Sequence, residues 1–116
     1  MAQPLFIFTQ PPHNNPLARE GVEALLACAA FDQQPEVMFI DQGVLQLIPQ
    51  ADIPGVKNLN KMVQALEIYG VESIYVCQNS LTQFGVQAEG LNPSGKLISL
   101  AQRHPLIQQA RWVVRF

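Results

Sequence analysis

The chain alternates between two hydrophobic patterns. Short continuous apolar runs, each the length of a strand buried on both faces, are separated by longer stretches whose apolar residues recur at helical spacing. The runs lie at 4–9 (Pro-Leu-Phe-Ile-Phe-Thr), 36–41 (Glu-Val-Met-Phe-Ile-Asp), 72–77 (Glu-Ser-Ile-Tyr-Val-Cys), 96–100 (Lys-Leu-Ile-Ser-Leu) and 111–116 (Arg-Trp-Val-Val-Arg-Phe). Each reads as a strand. The first helix is predicted over 16–31, with Asn15 as its cap, Pro16 in its first turn, and Val22, Leu25, Leu26 and Ala29 as its buried stripe. Cys28 borders that stripe and reads as packing. The second helix covers 57–69, presents Leu59, Met62, Val63, Leu66 and Tyr69 on one face, and stops at Gly70. A third begins after the 72–77 run: Asn79 or Ser80 caps it, Gln83 completes a capping box with Ser80, and Gly85 ends it. A short helix over 104–110 keeps Pro105 in its first turn. Gly43 lets the backbone swing into a short helical turn or loop at 44–48, and 49–58 reads as loop. Strand and helix in alternation predict an α/β fold with a mostly parallel sheet covered on both faces.

At 116 residues the chain is expected to form one domain over 1–116. Charged residues make up 14%, well below a typical ~25%, and the uncharged surface this leaves favours a subunit of an oligomer. The net charge of −2, with no cluster of lysine or arginine, excludes direct nucleic-acid binding through phosphate contacts. No apolar run reaches the ~18–20 residues of a membrane span, and Met1-Ala-Gln-Pro4 lacks the regions of a secretory signal. With two cysteines and no export signal, the expected setting is the cytoplasm, with reduced thiols.

Most site chemistries find no support. There is no glycine-rich phosphate loop after the first strand, no Cys-x-x-Cys, no metal-ligand spacing around His13 and His104, and no serine elbow. No cofactor and no metal are therefore expected. Cys77 has a physical case for chemistry, because it stands where a strand ends and a helix begins. Unpaired N–H groups and the positive end of a helix stabilise a thiolate there, and ligands gather at that edge of an open parallel sheet. Gln10 and His13 follow the first strand and Asp41 the second, so their side chains can converge on Cys77, supported by Asn79 and Ser80. The plainer alternatives stand beside this: an inert buried cysteine, a solvated histidine, and an aspartate that caps the next turn. A thiol without metal, partner cysteine or nucleotide site suits reversible carriage of sulfur as a persulfide.

Four segments carry a family resemblance: 19–27 (Arg-Glu-Gly-Val-Glu-Ala-Leu-Leu-Ala), 39–49 (Phe-Ile-Asp-Gln-Gly-Val-Leu-Gln-Leu-Ile-Pro), 76–81 (Val-Cys-Gln-Asn-Ser-Leu) and 113–116 (Val-Val-Arg-Phe). In this order and at these intervals the chain resembles the DsrE/DsrF/DsrH-like family, above all its TusC (DsrF-like) branch. The resemblance implies a three-layer α/β/α fold with a parallel sheet of about five strands. It further implies a C-type subunit joined to B- and D-type subunits as a dimer of trimers. Such a complex relays persulfide sulfur to an acceptor protein for 2-thiolation of the wobble uridine in tRNA. Cys77 falls where the D-type subunit carries its sulfur-accepting cysteine, but this chain resembles the C-type, for which acceptor activity does not follow. A non-catalytic subunit of a sulfurtransferase complex is thus the leading expectation. The alternatives are a subunit of a DsrEFH-type complex in sulfur oxidation, a stand-alone cysteine persulfide sulfurtransferase, and, outside the class, a small-ligand-binding α/β module. Self-association of the isolated chain is a further expectation.

Overall fold

The computed structural model describes residues 2–13, 16–31 and 33–116. Along the chain it contains β1 (Leu5–Phe8), α1 (Leu17–Ala30), β2 (Glu36–Phe39), a 3-10 segment (Asp41–Leu47), α2 (Leu59–Ile68), β3 (Ile74–Cys77), α3 (Gln78–Gln83), a short 3-10 turn (Ala88–Gly90), β4 (Lys96–Ile98), α4 (Leu100–Gln109) and β5 (Val113–Arg115). All four strand pairings are parallel, and the five-stranded sheet runs β4-β3-β2-β1-β5.

That order fixes the layers. β1 to β4 step across the sheet in one direction, so right-handed crossovers put α1, α2 and α3 on one face. The step from β4 to β5 returns across the whole sheet and leaves α4 alone on the other. Side chains alternate accordingly. Phe6, Phe8, Val37, Phe39, Ile74 and Val76 pack with Ala18, Val22 and Leu25 of α1, Leu59, Val63 and Leu66 of α2, and Leu81 of α3. Leu5, Ile7, Met38, Ile40, Cys77 and Ile98 form a second cluster, closed by Leu106 and Ile107 of α4 and its C-cap Ala110. The three-layer reading holds.

Several local expectations need correction. The predicted cap Asn15 lies outside the described residues, and Pro16 occupies the N-cap position of α1 without a side-chain cap. Tyr69 is half exposed and ends α2 instead of joining its buried face; Asn58 is the cap, its side chain accepting from the Lys61 amide at 3.2 Å. Gly70 and Gly85 take left-handed backbone (φ +83° and +65°) and stop α2 and α3 as expected. Gly43 needs no unusual φ. It is required because the backbone passes so close to β1 that a Cβ would sit 2.0 Å from the Phe8 carbonyl oxygen. The last helix starts at Leu100, not at 104. Ser99 and Gln102 form a reciprocal capping box, so Leu100 belongs to the helix and Pro105 stands in its interior.

Buried amides hold the crossover between β2 and α2 in place. Gln46 Nε2 donates to the Gln10 carbonyl at 2.9 Å. Asn60 Nδ2 donates to the carbonyls of Gln46 (2.9 Å) and Asn92 (2.7 Å), and its Oδ1 accepts from Gln64 Nε2 at 2.6 Å.

Candidate functional site

Cys77 closes β3, and the sheet order makes its position special. The connection leaving β3 goes to α3 on one face, while the one leaving β4 goes to α4 on the other. The crevice between the carboxyl ends of those two strands is the topological switch point, where open α/β sheets place ligands. Cys77 pairs in register with Ile98 at that point. β3 ends at Cys77 and α3 begins at Gln78, the strand-to-helix junction that the sequence predicts there.

Its environment is that of the plainer alternative, a buried cysteine. Cys77 is 0% exposed and packs within the second apolar cluster, so it is a sealed thiol and not one open at the sheet edge. Cys77 itself is the N-cap residue of α3, without a side-chain capping bond, so neither Asn79 nor Ser80 caps that helix. At six residues α3 is also too short to supply much of a dipole. The polar group that reaches the sulfur is Arg103 of α4, whose Nη1 donates to Sγ at 4.0 Å, the outer limit of such a contact. The sequence reading misses Arg103 because it starts the helix at 104, four residues late and just past that arginine. The signal was present as Ser99-x-x-Gln102, a capping box that places Arg103 in the first turns of α4.

The remaining site residues separate into two groups. Asp41 and Ser80 do come together: the Asp41 amide donates to Ser80 Oγ at 2.8 Å, joining the turn after β2 to α3. Asp41 takes left-handed backbone (φ +52°), which aspartate tolerates better than most residues, and it opens the 3-10 segment without a side-chain cap. Asn79 is exposed on α3. Gln10 and His13 belong elsewhere. The Gln10 carbonyl takes the Gln46 amide, and its own Nε2 lies 3.5 Å from Thr9 Oγ1. His13 Nε2 lies 2.9 Å from Gln50 Oε1. His13 also lines two cavities of about 240 and 360 Å³, both shared with Val56 and Lys57. His13 is exposed beside the loop before α2, in keeping with the solvated alternative, and its hydrogen bond goes to Gln50 and not to Cys77. Cys28 packs against the larger core as expected, and burial pushes its thiol pKa up. Among the described residues no group of three or more His, Cys, Asp or Glu side chains is arranged to hold a metal ion, and no helix is long and apolar enough to cross a membrane.

Removing the Ser80 hydroxyl strands the Asp41 amide at a half-buried position. Ser80→Ala is expected to destabilise the fold by about 1–3 kcal/mol, measured by urea unfolding. An unchanged midpoint would mean that the amide finds another acceptor.

The model of the DsrE/DsrF-like family matches residues 3–116. The chain belongs to that family. Two proteins named Protein TusC homolog align with it end to end, covering 100% of both chains: one from Vibrio parahaemolyticus serotype O3:K6 (strain RIMD 2210633) at 34% identity and one from Vibrio vulnificus (strain CMCP6) at 32%. Among solved structures, the ychN protein from E. coli superposes with a TM-score of 0.87 at 13% identity, covering 100% of both chains. A protein of unknown function, MTH1491 from Methanobacterium thermoautotrophicum, gives 0.70 at 16% over the same coverage. At such identities the likeness concerns the fold, and it agrees with the parallel five-stranded sheet.

Proposed function

We propose that this DsrE/DsrF-like chain is the C-type subunit of a cytoplasmic sulfur-relay complex. Its B- and D-type partners, arranged with it as a dimer of trimers, pass persulfide sulfur toward 2-thiolation of the tRNA wobble uridine. End-to-end similarity to proteins named TusC homolog supports the choice of subunit type. The observation that carries the division of labour is the complete burial of Cys77. A sulfur acceptor must offer its thiolate to a donor's sulfur, and a sealed sulfur does not. That favours a partner subunit over a sulfurtransferase acting alone.

Surface composition points the same way. Phe31 is 79% and Ile68 85% exposed, and Leu100, Trp112 and Val113 are also open to solvent. Apolar side chains of this size are those that protein interfaces recruit. The test is co-expression with B- and D-type chains followed by size-exclusion chromatography. The expected result is a single complex containing all three chains, and a chain that never co-elutes with them overturns the reading. A separate assay addresses Cys77 as a carrier: incubation with a persulfide donor and intact-mass measurement, in which the isolated chain is expected to gain no sulfur at Cys77.

A further inference from the structure

The two faces of the sheet are held unequally. α1 and α2 each bury several side chains fully, whereas no residue of α4 is fully buried. The apolar anchors of α4, Leu106 and Ile107, and its C-cap Ala110 are only partly covered, and Leu100 is 52% exposed. Pro105 has no amide to donate to the Ala101 carbonyl, so the helix lacks a bond in its middle. Yet beneath this loosely held helix Leu5, Met38 and Cys77 are wholly buried and Ile98 nearly so, with Arg103 reaching down to the sulfur. What covers the thiol is thus the layer with the fewest buried contacts, the property that marks a locally opening unit.

We infer that α4 is a lid over the switch point: it opens as a unit while the sheet and the three-helix layer stay folded, and this opening is the route by which reagents reach Cys77. The capping box at Ser99 and the Arg111 amide, which donates to the Gln3 carbonyl at 2.9 Å, are its two hinges. Arg103 is its latch. Opening exposes Leu5, Ile7, Met38, Ile40 and Ile98 to water, so the free chain opens rarely, and a partner that covers those side chains raises the open population. The inference holds whether or not Cys77 carries sulfur.

The test is alkylation of Cys77 by iodoacetamide, a neutral reagent, in a Cys28→Ser background, followed by intact mass without denaturant. Labelling is expected to run at least roughly a hundredfold slower than in the urea-unfolded chain and to depend weakly on low urea, as a small opening requires. Ile107→Ala, and independently Leu106→Ala, should speed it about tenfold or more by loosening the lid. Val63→Ala, in the core of the opposite face, should change it less than about twofold although it lowers global stability at least as much. Amides of α4 should exchange hydrogen ahead of those in β1, β2 and β3. Rates that follow global stability in all variants alike overturn the lid. So does wild-type labelling at the unfolded-chain rate, or lid variants without acceleration.

Discussion

Gly43→Ala is expected to destabilise the protein by at least about 3 kcal/mol, lowering the thermal midpoint by roughly 10 °C or more at this chain length. The added Cβ would lie 2.0 Å from the Phe8 carbonyl oxygen, 2.6 Å from the Phe8 carbonyl carbon and 3.1 Å from the Thr9 nitrogen. All three are backbone atoms of the strand end or the residue after it, so no rotamer change relieves the clash. Either the 3-10 segment lifts away or β1 shifts. Both disturb the bond from the Ile40 amide to the Phe8 carbonyl (3.0 Å), which joins β2 to β1 at their carboxyl ends. Gly90→Ala serves as the control. A Cβ there meets nothing within 4 Å, and the change should stay within about 0.5 kcal/mol. Equal midpoints for the two variants in a thermal melt would refute the packing argument.

Truncating Phe8 should cost about 3–5 kcal/mol, because the ring is wholly buried and its removal leaves a cavity that its neighbours cannot fill. The ring packs on Phe39 and Phe116, with centroids 5.3 and 5.9 Å away. Gly21 of α1 leaves room for it: a Cβ on Gly21 would fall 2.3 Å from Phe8 Cε1 and 2.7 Å from Phe116 Cγ. Helix and strand are therefore fitted through a glycine against two rings. Gly21→Ala alone should cost about 1–3 kcal/mol by overpacking. In a Phe8→Leu background the same change should cost measurably less, since the two sites share one volume. Equilibrium unfolding of the four proteins in the cycle measures this. Strict additivity would show that the helix adjusts independently of the ring.

Much of the architecture was legible because its determinants are local. A strand buried on both faces has to be apolar throughout, and 4–9 announces β1 in that way. Leu59, Val63 and Leu66 mark the inward side of α2, and left-handed glycines stop α2 and α3. The errors came where two local signals competed. Ser80 resembles a cap, but the helix starts three residues earlier, with Cys77 as its N-cap, and the Ser80 hydroxyl instead accepts from the Asp41 amide. Pro105 suggested a helix starting beside it, whereas the Ser99 and Gln102 box starts the helix sooner and tolerates the proline inside. For the candidate site, the end of β3 could be read from the order of residues. The separation of His13 from Cys77 could not, since it depends on where a long loop travels.

The order of residues was enough to specify the kinds and order of the main elements, the family to which the chain belongs, and the place of Cys77 at the end of a strand. Packing in three dimensions made this end the switch point and laid α4 with Arg103 over it. Periodicity reports which side of an element avoids water. It does not report the lateral order of strands, and the return from β4 across the sheet to β5 is what lays a single helix over the thiol.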